Sequence, residues 1–135
     1  MPGKAHLRLG ELIHAALACD VCAVRSLLDE GLDPGTANAQ GFTALHFAAQ
    51  ARCPAVISLL LHAGADVDPR DDWGNTPLSR AVFYARGENA AVAVLLAAGA
   101  DPDARNAVGV SPRELAERLG ADTLTALFAD GAAAG

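Results

Sequence analysis

Apolar residues recur along the chain in short blocks with helical spacing, separated by polar stretches rich in turn formers. Val56, Ile57, Leu60 and Leu61 fall on one side of a helix, a stripe that predicts burial against a neighbour. The block Ala23-Val24-Arg25-Ser26-Leu27-Leu28 aligns with Val56-Ile57-Ser58-Leu59-Leu60-Leu61 and with Ala91-Val92-Ala93-Val94-Leu95-Leu96. Each block ends at a glycine followed by an acidic turn: Gly31-Leu32-Asp33, Gly64-Ala65-Asp66, Gly99-Ala100-Asp101, at spacings of 33 and 35. A glycine there suits the left-handed conformation that closes a helix. Upstream, Ala15-Ala16, Ala48-Ala49 and Ala81-Val82 keep the period of 33. Because turn residues hold register along with helical ones, the chain reads as an internal repeat. A fourth, shorter copy runs from Gly109-Val110-Ser111-Pro112 to Phe128.

Each copy predicts two short helices and a turn. Thr43, Thr76 and Ser111 stand where a hydroxyl caps the first helix, and Pro77 and Pro112 follow at the first helical position, where a missing N–H is harmless. Residues 65–74 are polar and turn-rich, and suit an extended loop or a hairpin. The aspartates at 33, 66 and 101 occupy one turn position and read as loop-stabilising.

These motifs carry a family resemblance. Gly41-Phe42-Thr43-Ala44-Leu45-His46-Phe47-Ala48-Ala49 and Gly74-Asn75-Thr76-Pro77-Leu78 closely resemble the G-x-T-P-L-H-x-A-A signature of ankyrin repeats, and Gly64-Ala65-Asp66-Val67-Asp68 is similar to the family's G-A-D-V-N turn. The resemblance implies an all-α solenoid of four helix-turn-helix units joined by extended loops or hairpins. It covers a single domain over 5–130: an N-terminal cap over 5–37, internal repeats over 38–70 and 71–105, and a C-terminal cap over 106–130. Residues 131–135 are expected to be a frayed tail. Arg8, Glu11, Arg113, Glu117 and Arg118 put charge where terminal units must meet water. The family implies that His46 is structural, its imidazole bonded to backbone across the loop; Ser79 stands at the equivalent position one unit later, so that bond must differ there.

Composition narrows the picture. Of 135 residues, 31 are alanine and only six are aromatic, so the core must rest on closely approaching helices. Ten basic and sixteen acidic residues leave a formal net charge of -6, and no basic stripe suited to nucleic acid is visible. No apolar run reaches the ~20 residues needed to cross a bilayer. Lys4 and Arg8 followed by an apolar stretch to Cys19 imitate a secretion signal, but Glu11 and His14 interrupt it and the stretch belongs to the repeat pattern. Three cysteines are an odd number for a disulfide framework, which makes a reducing cytoplasm the simpler expectation. Cys19 and Cys22 form a CxxC, with Cys53 at a similar height one unit later. They can be read as a zinc or redox site, or as small hydrophobes filling the turn between helices. His6, His14 and His62 share no useful spacing, no phosphate-binding loop is present, and nothing points to catalysis or to a cofactor.

The third unit stands out. Trp73, the only tryptophan, precedes Gly74 at the loop tip; Phe83 and Tyr84 end the first helix; residues 85–89 hold a two-residue lengthening. In the resembled family, loop tips and first helices line one concave face, which would gather these aromatics beside Arg70, Asp72, Asn75 and Arg86. Phe83 could instead belong to the core. Arg80 replaces the apolar residue expected at the position equivalent to Phe47 and must find solvent, a carboxylate or a partner. The expected function is protein–protein interaction by a monomer through that face, with Trp73, Phe83, Tyr84, Asp72, Asn75, Arg70, Arg80 and Arg86 as its residues. Residues 72–87 and 109–116 also resemble small free-standing bacterial ankyrin proteins, some linked to toxin immunity, which implies a toxin or enzyme as partner; the net charge of -6 would suit a basic one. The alternative is a small-molecule or catalytic pocket around the same aromatics; a closed cavity would favour it, and an open patch would favour protein.

Overall fold

The computed structural model describes residues 2–134, with side chains over 8–128. Of the expected frayed tail at 131–135, residues 131–134 continue the last helix and Gly135 lies outside the described residues, as does the side chain of His6. Eight helices follow in order: α1 Pro2–Leu17, α2 Val21–Asp29, α3 Ala44–Gln50, α4 Pro54–His62, α5 Pro77–Tyr84, α6 Ala90–Ala97, α7 Pro112–Arg118 and α8 Asp122–Ala134. Among the described residues the one β pairing is an isolated bridge between Ala37 and Thr43. The loops that could have been hairpins are therefore tight turns rather than paired strands.

The helix starts follow from their caps. Thr43, Thr76 and Ser111 each accept a hydrogen bond from the amide three residues on, at 3.4, 3.3 and 3.1 Å. Proline opens α4, α5 and α7, where no amide is missed. Helices α1, α3, α5 and α7 form one row and α2, α4, α6 and α8 a second, each helix packed on its neighbours in the row and on its partner within the unit. Ala16, Ala44, Ala48, Ala49, Ala81 and Ala116 are buried in the first row, so its backbones come close. Val24, Val56, Ile57, Leu60, Val92, Leu95 and Phe128 fill the space between rows. The apolar stretch that imitates a signal lies in α1, with Leu12, Ala15 and Ala16 buried in this core.

The loops are built alike. The side-chain oxygens of Asn38, Asp71 and Asn106 each accept from the amides two and four residues on, at 2.9 to 3.1 Å. Adjacent loops are then bonded to each other: the Asp72 amide donates to the Gln40 carbonyl, and the Ala107 amide donates to the Trp73 carbonyl, both at 2.9 Å. Two glycines permit this approach. A Cβ on Gly41 would stand 2.9 Å from the Asp71 Cα, and one on Gly74 would stand 3.0 Å from the Ala107 nitrogen, at φ of 82° and 77°. On the other turns, Asp33, Asp66 and Asp101 accept from the amides of Gly35, Asp68 and Asp103, the loop-stabilising role expected of them.

His46 is the structural residue the sequence suggested. Its Nδ1 accepts from the Thr43 amide at 3.1 Å, which leaves the proton on Nε2, and Nε2–H donates to the Asn75 carbonyl at 2.9 Å. In the third unit Ser79 cannot reach that far. The link to the fourth unit passes instead from the Asn106 side-chain amide to the Asn75 side-chain oxygen at 3.0 Å.

The cysteine expectation is corrected here. Cys19, in the turn after α1, is disulfide-bonded to Cys53, which precedes α4, with Cα atoms 5.7 Å apart; Cys22 is exposed and free. The repeat stacks equivalent turns at one height, so residues 34 apart become neighbours, and the odd count concealed one pair plus one thiol. Paired sulfurs are not thiolate ligands, which removes the zinc reading.

Two outcomes follow for stability. Reducing the Cys19–Cys53 bond releases a loop of about 34 residues and should destabilise the fold by on the order of 3 kcal/mol; thermal melts with and without reductant measure this. Burial, opposed by the Asn75 hydrogen bond and the Asp71 charge, lowers the His46 pKa below its ordinary 6.5. The folded chain then binds fewer protons than the unfolded chain just below that pH. The His46 contribution is complete above about 6.5 and declines as pH falls through the lowered value. Urea midpoints at pH 7.5 and 5.5 should drop on acidification by less in His46→Gln than in the unaltered chain.

Candidate functional site

Trp73 is held by its own backbone. Its amide donates to the Asp71 carboxylate at 2.9 Å and its carbonyl accepts from Ala107, so the indole projects from the turn and remains 55% exposed. It does not stand alone. Its ring lies against Phe42 of the preceding unit, centroids 5.9 Å apart and planes inclined by 31°. Phe42 in turn packs on Phe47 at 5.4 Å and meets the His46 ring edge-on at 5.6 Å.

Arg80 joins this group to the aromatics at the end of α5. Its guanidinium carbon lies 4.6 Å from the Phe42 centroid, 5.8 Å from Phe47 and 5.7 Å from Tyr84, the geometry of cation–π contact. Nε and Nη2 both donate to the Gln50 side-chain oxygen, at 3.2 and 2.6 Å. The arginine thus takes an amide and three rings, not a carboxylate. Phe83 packs edge-on to Tyr84 at 5.1 Å and is 58% exposed, so it is a surface residue and not core.

Two hollows border the cluster. One, of about 300 Å³, lies between the loop turns and the first-row helices of the third and fourth units, lined by Asn75, Ser79, Arg80, Phe83, Tyr84, Asn106 and Leu115. The other, of about 440 Å³, lies where the lengthened turn parts from the next unit, and includes Phe83, Arg86, Asn89, Leu119 and Thr123. Both open to solvent, and neither is a closed cavity.

Of the residues singled out from sequence, Trp73, Asn75, Arg80, Phe83 and Tyr84 come together, with exposed Asp72 on the same turn. Arg70 stands apart, its guanidinium on the Arg105 carbonyl at 3.0 Å, and Arg86 lines only the second hollow. Phe42, Phe47 and Gln50, which the sequence reading did not include, belong to the preceding unit. The signal was available: Arg80 aligns with Phe47 at the repeat period, and aligned positions are neighbours in a stack. Among the described residues no group of three or more His, Cys, Asp or Glu could hold a metal, and no helix is long and apolar enough to cross a membrane.

Residues 12–106 match the profile described as ankyrin repeats (3 copies). The chain belongs to the ankyrin repeat family. Among relatives, it is 40% identical over 73 residues to Serine/threonine-protein kinase 12 of Arabidopsis thaliana (54% of this chain, 16% of that one). It is 40% identical over 75 residues to Protein PhlB of Serratia liquefaciens (55% and 33%) and 41% identical over 76 residues to the B-cell lymphoma 3 protein of Homo sapiens (50% and 17%). The chain thus spans a third or less of each of these proteins. Ankyrin repeats are generally protein–protein interaction modules and do not themselves catalyse reactions.

The single tryptophan makes the surface easy to follow. Phe42→Ala removes the ring that covers one side of Trp73, and its fluorescence emission should move to longer wavelength. An unchanged maximum would mean that the two rings do not pack in solution.

Proposed function

We propose that this ankyrin chain, as a single copy, binds another protein through the face formed by its loop turns and first-row helices, centred on the third repeat. The observation that carries the reading is the aromatic group of exposed Trp73 and Phe83 and half-buried Tyr84 around a guanidinium fixed by Phe42 and Gln50. Aromatic and arginine side chains held rigid by their surroundings lose little freedom on binding and are the usual anchors of interfaces. Asp72 stands at its edge, Asn75 lines the smaller hollow within it, and Arg70 and Arg86 are peripheral. The open form of both hollows favours a protein over a small molecule.

Within that reading, the chain acts as an inhibitor of the immunity type, covering the working surface of a toxin or enzyme. Its likeness to small bacterial ankyrin proteins supports this, and a net charge of -6 suits a partner that is basic overall, since opposite net charges speed encounter. The odd cysteine count no longer argues for a cytoplasmic setting, because two of the three are bonded.

Affinity capture from the source cell, with the captured protein identified and its Kd measured, tests the proposal. Trp73→Ala and Tyr84→Ala should each weaken the complex at least about tenfold, and association should slow as salt is raised. Equal affinity for the unaltered chain and both variants would overturn the assignment of this face. An association rate indifferent to salt would remove the electrostatic part alone.

A further inference from the structure

The chain is acidic overall, yet the smaller hollow at the centre of the proposed face has no acid in its lining. Arginine carries five N–H donors. In Arg80 two of them are spent on one oxygen of Gln50, and Nη1 makes no hydrogen bond among the described residues. The buried side-chain polar atoms without a partner there are Asp71 Oδ2 and Asn89 Oδ1, so Nη1 reaches the surface. Arg8, Arg52, Arg105 and Arg113 each have a carboxylate within 4.0 Å, and Arg80 has none among the described residues. Around it the hollow is lined by Ser79, Tyr84 and Asn75, which carry hydroxyl and amide donors; the side-chain oxygen of Asn75 is already taken by Asn106. Phe83 and Leu115 supply the apolar wall.

A guanidinium laid on aromatic faces is held in place and poorly hydrated, and covering it with a partner is costly unless the partner brings an anion. We infer that this hollow receives an aspartate or glutamate side chain of the bound protein, its carboxylate against Arg80 and an adjoining apolar side chain against Phe83 and Leu115. The inference rests on the reading of this face as a protein-binding surface and names what that surface selects. A partner that is basic overall meets the requirement with one acidic anchor in the bound segment. Net charge governs the approach, and the local donor set governs the fit.

Selection of short random peptides displayed on phage against the immobilised chain tests it. Recovered peptides should carry Asp or Glu beside a bulky apolar residue. A synthetic copy of the tightest one, compared by calorimetry with the same peptide bearing the amide in place of the acid, should lose at least about tenfold in affinity. That change leaves the protein untouched, so the result does not depend on a variant folding. Arg80→Gln should show the same loss for the acidic peptide and little further loss for the amide one, whereas Arg80→Lys should retain part of the difference. Trp73→Ala should weaken both peptides alike. If recovered peptides lack acids but depend on Trp73, the acidic anchor is overturned and the protein-binding face survives. If binding ignores both Trp73→Ala and Arg80→Gln, both fall. Failure to recover any peptide, or equal binding of acid and amide, also overturns the inference.

Discussion

Two backbone hydrogen bonds between loops, from Asp72 to Gln40 and from Ala107 to Trp73, set the register on which the rest of the molecule depends. They fix how far one unit lies from the next, and only a residue without a Cβ can stand beside them at Gly41 and Gly74. The same contact decides the direction of Trp73, whose amide and carbonyl are both committed. The candidate binding surface is therefore a by-product of stacking, in the sense that the bonds joining the units also hold its principal aromatic outward. The two extra residues of the third unit do not disturb this register, because they fall between α5 and α6, where the connecting turn runs over residues 85–89. The lengthening is absorbed by opening a hollow against the following turn at Leu119 and Thr123.

What the sequence made legible was whatever depends on residues close in the chain or one period apart in the same role. Caps at Thr43, Thr76 and Ser111 and the turn aspartates repeat in register, and the bridging His46 sits inside the family motif; each lies where the sequence put it. Trp73 was legible as a candidate because a loop tip offers little core to join, and it is exposed; Phe83, which the sequence left open between core and surface, is exposed as well. The misses share one cause. The disulfide and the contacts of Arg80 with Phe42, Phe47 and Gln50 lie between units, at separations of 30 to 38 residues, and require the register to be applied to pairs rather than to motifs. A cysteine count and a single-unit reading of Arg80 both discard that pairing.

Charge behaves differently at long and short range. Sixteen acids against ten bases set the field a distant molecule meets, and they favour a basic partner. Within a few ångströms the balance is set by individual groups. At Arg80 the nearest compensation is the edge of an amide oxygen and the electron-rich faces of Phe42 and Tyr84, which orient the cation without neutralising it. A positive centre inside a negative envelope discriminates more strongly than either alone, because a partner must satisfy both conditions at once.

In a linear stack each unit touches only its neighbours, so stability added at one interface is not shared evenly with the others. The disulfide secures the first unit to the second, whereas the aromatic surface runs from the second unit to the fourth. Its rigidity must come from bonds at those later interfaces. Asn75 supplies two of them: its carbonyl accepts from His46 on one side, and its side-chain oxygen accepts from Asn106 on the other. The same residue lines the hollow beside Arg80, with its remaining donors unspent. A partner that engages them draws on a side chain already fixed at both neighbours, so the ordering needed for recognition is largely complete before binding begins.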